Sequence, residues 1–125
     1  MTKLVIIKMV MFYSSLYGID PKLALGVIQT ESGFNPNVIS KTQDVGLFQL
    51  HEQSFPQYSK AQLLQPEINI TEGILYLKKM KKECKFKDNN EFLVCWNYGL
   101  KNARQIKHAD LWPYTKKVLI AMKGF

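Results

Sequence analysis

The chain has 125 residues, 17 Lys and Arg against 10 Asp and Glu, and a formal net charge of +7. This length fits one domain with a real hydrophobic core and no separate regulatory module. An apolar fraction of 46% with seven Phe, six Tyr and two Trp excludes a disordered tail, and two cysteines exclude a disulfide-scaffold miniprotein. The charge implies an anionic partner, and with Arg104 as the sole arginine, planar reading of guanine is disfavoured, leaving a diffuse polyanion such as a bacterial envelope or nonspecific nucleic acid.

The N-terminus has the basic start and apolar middle of a signal peptide, yet Lys8 interrupts the run and no A-x-A-like cleavage site follows. No uncharged stretch approaches about 18 residues, so no membrane span is expected. Lys3 to Tyr17 is therefore expected to be the first helix, with Leu4, Ile7, Met11, Phe12 and Tyr13 at helical spacing in a segment that is apolar nearly all round. Gly18 ends it. Asp20 and Pro21 supply an N-cap and a first helical position for a second helix that stops at Gly33, with Pro36 beyond. Residues 34–50 are turn-rich and predict a loop or short β-ribbon.

Pro66 opens a further helix through Ile70, Ile74, Leu77 and Met80 into lysine-rich sequence, and Asn90 is placed to cap a helix that closes at Gly99. The last helix begins near Pro113, carries Tyr114, Val118, Ala121 and Met122 on one face, and ends at Gly124. The expected fold class is mainly α, with a small β element, in one compact domain over residues 1–125. Cys84 and Cys95 flank a helix junction where a bridge is feasible. Without a recognisable export signal, two buried free thiols are the expectation.

Glu31 is the informative residue. Val27 and Ile28 lie four and three positions before it, so it shares a stripe with apolar side chains in the last turn of its helix. Partial burial and the negative end of the helix dipole both disfavour its carboxylate, and a carboxylic acid kept protonated near neutral pH is what general-acid catalysis requires. Periodicity alone also fits an edge-of-core glutamate whose tip reaches water.

The surrounding text carries more. Glu31-Ser32-Gly33-Phe34-Asn35-Pro36, Gly46-Leu47-Phe48-Gln49, Asn69-Ile70 with Gly73 and Tyr76-Leu77, Asn97 with Gly99, and Tyr114 with Val118 follow in order. This succession resembles the soluble lytic transglycosylases, lysozyme-like enzymes that cleave the glycan strands of peptidoglycan. The resemblance runs from about Tyr13 to Met122. It implies a lysozyme-like α+β fold in which Glu31 protonates the scissile glycosidic oxygen. Glu31 would then take a proton from the sugar's own 6-hydroxyl as it closes a 1,6-anhydro ring. It further implies that Ser32 and Gln49 position substrate and acid, that Asn97 bonds the sugar's acyl or hydroxyl groups, and that Tyr114 holds the Glu31 carboxyl. Phe48, Tyr76 and Tyr98 join them as candidate substrate-binding residues. Cys95, Trp96 and Tyr98 replace smaller or different residues of the family pattern, which narrows the cleft floor or adds a stacking surface.

Asp44 has two readings: a second carboxylate that stabilises or attacks an oxocarbenium-like centre, as in animal-type lysozymes, or a turn-former after Thr42-Gln43. Hydrolysis by Glu31 and Asp44 is thus an alternative to transglycosylation, and a noncatalytic basic wall-binding module is an alternative of another class. His51 and His108 lack partners at metal spacing and read as surface or satisfied side chains. No metal or cofactor is expected. The lysines at 78, 79, 81, 82, 85 and 87 read as a solvated helix end. The expected partner is the peptidoglycan glycan strand, not a specific nucleic acid, for a monomer or a component of a larger virion or secretion assembly. The expected place of action is the periplasm and cell wall, reached as a phage product first, or with a secretion system second.

Overall fold

The computed structural model describes residues 1–85, 88–98 and 112–125, with Tyr98 described by its backbone alone. Helix α1 spans Lys3–Tyr17, where the Thr2 side chain accepts a hydrogen bond from the Val5 N–H and Gly18, at φ 71°, returns its N–H to the last carbonyls. Helix α2 spans Pro21–Ser32, capped by Asp20 on the Lys22 N–H and closed by Gly33 at φ 58°. Both glycines adopt the left-handed conformation that ends a helix without Cβ strain. Strands β1 (Asp44–Val45) and β2 (Leu50–His51) pair antiparallel, Asp44 opposite His51, and Ile39 bridges to Val45. This is the β element expected within residues 34–50, and a 3-10 turn at Glu52–Ser54 follows it.

Helix α3 (Lys60–Leu64) was not expected, although Ser59 and Gln62 form a reciprocal capping box around its start. Helix α4 spans Pro66–Cys84, α5 Asn89–Tyr98 and α6 Pro113–Met122. The cap of α5 is Asp88, whose carboxylate accepts from the Glu91 N–H at 3.0 Å, so the helix starts one residue before the expected Asn90 cap. Its expected closure at Gly99 lies outside the described residues.

Helix α2 is the central element, with Leu23 through Ile28 all buried and packed mainly against α6 and α1. Gly26 permits the α2–α6 approach: a Cβ there would lie 2.5 Å from Met122 Cγ and 3.1 Å from the Val118 carbonyl oxygen. The core continues through Phe48, Ile70, Ile74, Leu77, Phe92, Leu93 and Val118. Asn69 joins α4 to the ribbon. Its side chain, wholly buried, accepts from the Phe48 N–H at 2.8 Å and donates to the Val45 and Leu63 carbonyls at 2.8 and 2.9 Å. Gly73, one turn on, leaves the space that the Phe48 ring fills.

On α1 the structure settles which face is buried, and one expectation, on the cysteines, is corrected. On α1 the buried residues are Ile6, Val10 and Ser14, whereas Leu4, Met11 and Phe12 are 60%, 51% and 63% exposed. A helix apolar all round carries no moment to choose a face, and packing chose the Ile6–Val10–Ser14 stripe. The cysteines are not free thiols: Cys84 and Cys95 are disulfide-bonded, with Cα atoms 6.2 Å apart. The chain reverses between α4 and α5, and this brings the two positions within bridging range. Among the described residues, no helix is long and apolar enough to cross a membrane.

Candidate active site

Glu31 projects from the last turn of α2 into a cleft of about 360 Å³. Gln49 and Leu50 form one side from the ribbon, with Asp44 and His51 beside them. Tyr76 comes from α4, and Trp96 and Asn97 from α5. The local reason for the placement of Glu31 is the glycine stop. Gly33 ends α2 one residue after Ser32, so the carboxyl stands at the mouth of the core rather than within it.

Burial is the largest influence on Glu31 and pushes its pKa above the ordinary carboxylate value, and the Asp44 charge pushes it further up. The Tyr114 hydroxyl opposes both by donating to Glu31 Oε2 at 2.8 Å. The phenol itself is held protonated, because burial and the adjacent Glu31 raise its pKa far beyond the physiological range. It therefore serves as a fixed donor. Trp96 Nε1 in turn donates to the Tyr114 oxygen at 3.2 Å.

The other expected residues are distributed unevenly. Gln49 lines the cleft in a left-handed conformation (φ 52°) and donates from Nε2 to the Val38 and Gly46 carbonyls, both at 3.0 Å. Its carbonyl oxygen is what remains to offer a ligand. Asn97 lines the cleft and accepts from Trp112 Nε1 at 3.1 Å, which leaves its amide hydrogens to offer. Phe48 and Tyr76 line it too, Phe48 almost wholly buried beneath Gly73. Ser32 is not part of the lining, because its hydroxyl donates to the Ile28 carbonyl of its own helix at 3.1 Å. Tyr114 stands behind Glu31 rather than at the surface of the cleft. The side chain of Tyr98, and His108, lie outside the described residues.

Asp44 shares the cleft with Glu31, and both of its carboxylate oxygens already accept hydrogen bonds. Oδ2 takes the Thr42 hydroxyl at 2.7 Å and the Ser40 hydroxyl at 3.2 Å, and Oδ1 takes His51 Nδ1 at 3.2 Å. Because a carboxylate can only accept, the His51 tautomer with hydrogen on Nδ1 is the one that makes this bond. His51 was not among the expected site residues. Its signal is the strand register that sets it opposite Asp44, which the residues alone do not reveal. Trp112, immediately before the proline that opens α6, was also missed. Among the described residues, no three His, Cys, Asp or Glu side chains gather as a metal-holding group.

A helical domain with one half-buried acid at a helix end, facing a short β-ribbon across a cleft, is of the lysozyme-like class. The chain belongs to the transglycosylase SLT domain family, whose model it matches over residues 8–118. It is 33% identical over 123 residues to the membrane-bound lytic murein transglycosylase C of Mannheimia succiniciproducens, covering 90% of this chain and 31% of that protein. It is 35% identical over 112 residues to the protein of the same name from Pectobacterium atrosepticum, covering 81% of this chain and 28% of that one. Among solved structures it resembles the 70-kDa soluble lytic transglycosylase of Escherichia coli, with a TM-score of 0.75 and 25% identity over 92% of this chain and 23% of that one. In fold it also resembles an inactive mutant of lytic transglycosylase Slt from Pseudomonas aeruginosa, with a TM-score of 0.77 at 17% identity. The chain thus spans under a third of the length of these relatives.

Proposed function

We propose that residues 1–125 act as one catalytic domain, a peptidoglycan lytic transglycosylase that cleaves the β-1,4 bond between N-acetylmuramic acid and N-acetylglucosamine. The observation that carries this reading is Glu31: half-buried in the cleft, its pKa raised, and one carboxyl oxygen engaged by Tyr114. Glu31 donates its proton to the glycosidic oxygen as the bond from the anomeric carbon breaks. The muramic acid 6-hydroxyl attacks that carbon, and its proton passes to Glu31, which restores the acid. No water enters, and the nucleophile is already attached to the substrate, so proximity supplies much of the rate. One acid/base carboxyl therefore suffices where most glycosidases use two.

Asn97 offers amide hydrogens suited to an acyl oxygen, and Gln49 offers a carbonyl suited to a hydroxyl or amide N–H. Tyr76 and Trp96 give aromatic faces against which a sugar ring can pack. Asp44 favours a second reading, hydrolysis, because it lines the same cleft. Its hydrogen-bonded oxygens suit an electrostatic role better than attack on carbon, and this supports the transglycosylase. The disulfide supports an oxidising compartment outside the cytoplasm. The +7 charge supports long-range attraction to an anionic envelope.

The test is digestion of purified peptidoglycan followed by mass spectrometry of the released muropeptides. Anhydro ends are expected. Reducing ends carrying an added water would replace the transglycosylase with the hydrolase, and undiminished lysis by Glu31→Gln would remove Glu31 as the acid.

A further inference from the structure

We infer that Trp96 is a positioning residue that decides which oxygen of Glu31 carries the catalytic proton. An indole N–H can only donate, so at 3.2 Å from Trp96 Nε1 the Tyr114 oxygen must accept. A phenol has one proton, and its partner is Glu31 Oε2 at 2.8 Å. If Glu31 carried its own proton on Oε2, two hydrogens would lie between the same two oxygens. Were the phenol to turn and accept from Glu31 instead, its own hydrogen would have to find another acceptor, and the indole offers none. Among the described hydrogen-bond partners of the phenol, the arrangement is satisfied only with the Glu31 proton on Oε1. This fixes the oxygen that presents acid to the glycosidic bond.

Trp96 is held for this task. Its ring meets Tyr76 edge-on at 5.3 Å between centroids and lies 6.4 Å from Phe92. It directly follows Cys95, which the disulfide ties to the end of α4. The link from α5 through α6 to α2 is therefore anchored at its start. The inference rests on Glu31 being the acid, as proposed above. Among the described residues, the titratable groups that share the cleft are Asp44 on β1, His51 on β2 and Tyr76 on α4, with Tyr114 on α6 behind.

The sign of the pH effect follows from the bonds. Donation from Tyr114 lowers the Glu31 pKa, and without the indole N–H the phenol is free to turn away. Loss of that N–H therefore raises the Glu31 pKa and moves the alkaline limb of the activity profile to higher pH.

The experiment replaces Trp96 by β-(3-benzothienyl)alanine, which keeps the bicyclic shape and substitutes sulfur for the N–H, with Trp96→Phe as the genetically simple companion. Rates are measured on soluble peptidoglycan fragments across pH, in the wild-type and Tyr114→Phe backgrounds. Expected are a fall in kcat of about three- to tenfold, little change in KM, and the alkaline shift, all absent once Tyr114 is Phe. A benzothienyl variant with the wild-type kcat and pH profile would overturn the inference. An equal loss in the Tyr114→Phe background would do the same, because it would mark a packing role. If Glu31→Gln retains activity, the failure lies instead with the assignment of the acid, so the two can be told apart.

Discussion

Reducing the Cys84–Cys95 bridge should cost the fold a large share of its stability and loosen one wall of the cleft. The bridge closes a sequence separation of 11 residues. In the chain-entropy model a loop of this size removes about 9 cal/mol/K from the unfolded ensemble, or about 2.8 kcal/mol at 25 °C. Unfolding entropy near 60 °C is about 2.1 cal/mol/K per residue, so a chain of this length should lose about 10 °C of Tm on reduction. Reduction is cleaner than mutation here because it leaves both sulfur atoms in place, with Cys95 fully buried and Cys84 only 4% exposed. The assay is scanning calorimetry with and without a phosphine reductant, paired with lysis rates under both conditions. Activity should fall as well, because Trp96 and Asn97 directly follow Cys95 and lose the tie that anchors α5 to α4. A Tm unchanged within about 2 °C would refute the entropic argument. Two thiols titrating in the unfolded, unreduced protein would refute the pairing itself.

Glu31→Gln should abolish lysis and at the same time raise stability in a pH-dependent way. Because the folded pKa of Glu31 lies above its unfolded value, its contribution is fully present below the unfolded pKa and is lost as pH rises through the folded pKa. The Tm advantage of the variant should therefore be near zero at low pH, grow through that window and then level off. A constant difference across pH would refute it. Asn69→Leu removes three buried hydrogen bonds to backbone groups and should cost about 3–5 kcal/mol in urea unfolding; a loss under about 1 kcal/mol would show the ribbon is held by other means. Gly26→Val drives side-chain atoms into Met122 and the Val118 carbonyl. It should cost about 1–3 kcal/mol by overpacking. Lysis should fall more steeply than stability, because α2 and α6 carry the two ends of the Glu31–Tyr114 bond. Activity tracking the folded fraction alone would count against that coupling.

What the sequence made legible was local. Asp20, Pro21 and Gly33 bound α2 through interactions within a few residues of themselves, so its ends and the exit of Glu31 from the core could be read directly. The ordered motifs then supplied Gln49 and Asn97, which line the same cleft, and Tyr114, which bonds Glu31. Ser32 was the exception: its hydroxyl satisfies a carbonyl one turn back, a common choice for serine in a helix and one that competes with facing a ligand. Helix α3 was within reach, since Ser59 and Gln62 spell out a capping box, but five residues are too few to show a periodicity.

The features that stayed hidden all depend on register or on packing between distant elements. Asp44 meets His51 only because the ribbon turns over a particular number of residues. Cys84 meets Cys95 only because α5 folds back on α4. Trp96 reaches Tyr114 only where α5 crosses α6. Each of these acts on a residue that was legible. His51 bonds the Asp44 whose charge raises the pKa of Glu31, the disulfide anchors the strand of chain that begins Trp96-Asn97, and Trp96 donates to the phenol that bonds Glu31. On the proposed assignment the chemistry is carried by side chains at locally encoded helix ends, while its tuning is carried by contacts that exist only in the assembled fold. Substitution of Trp96 should accordingly change the pH dependence of the reaction before it changes what reaction occurs.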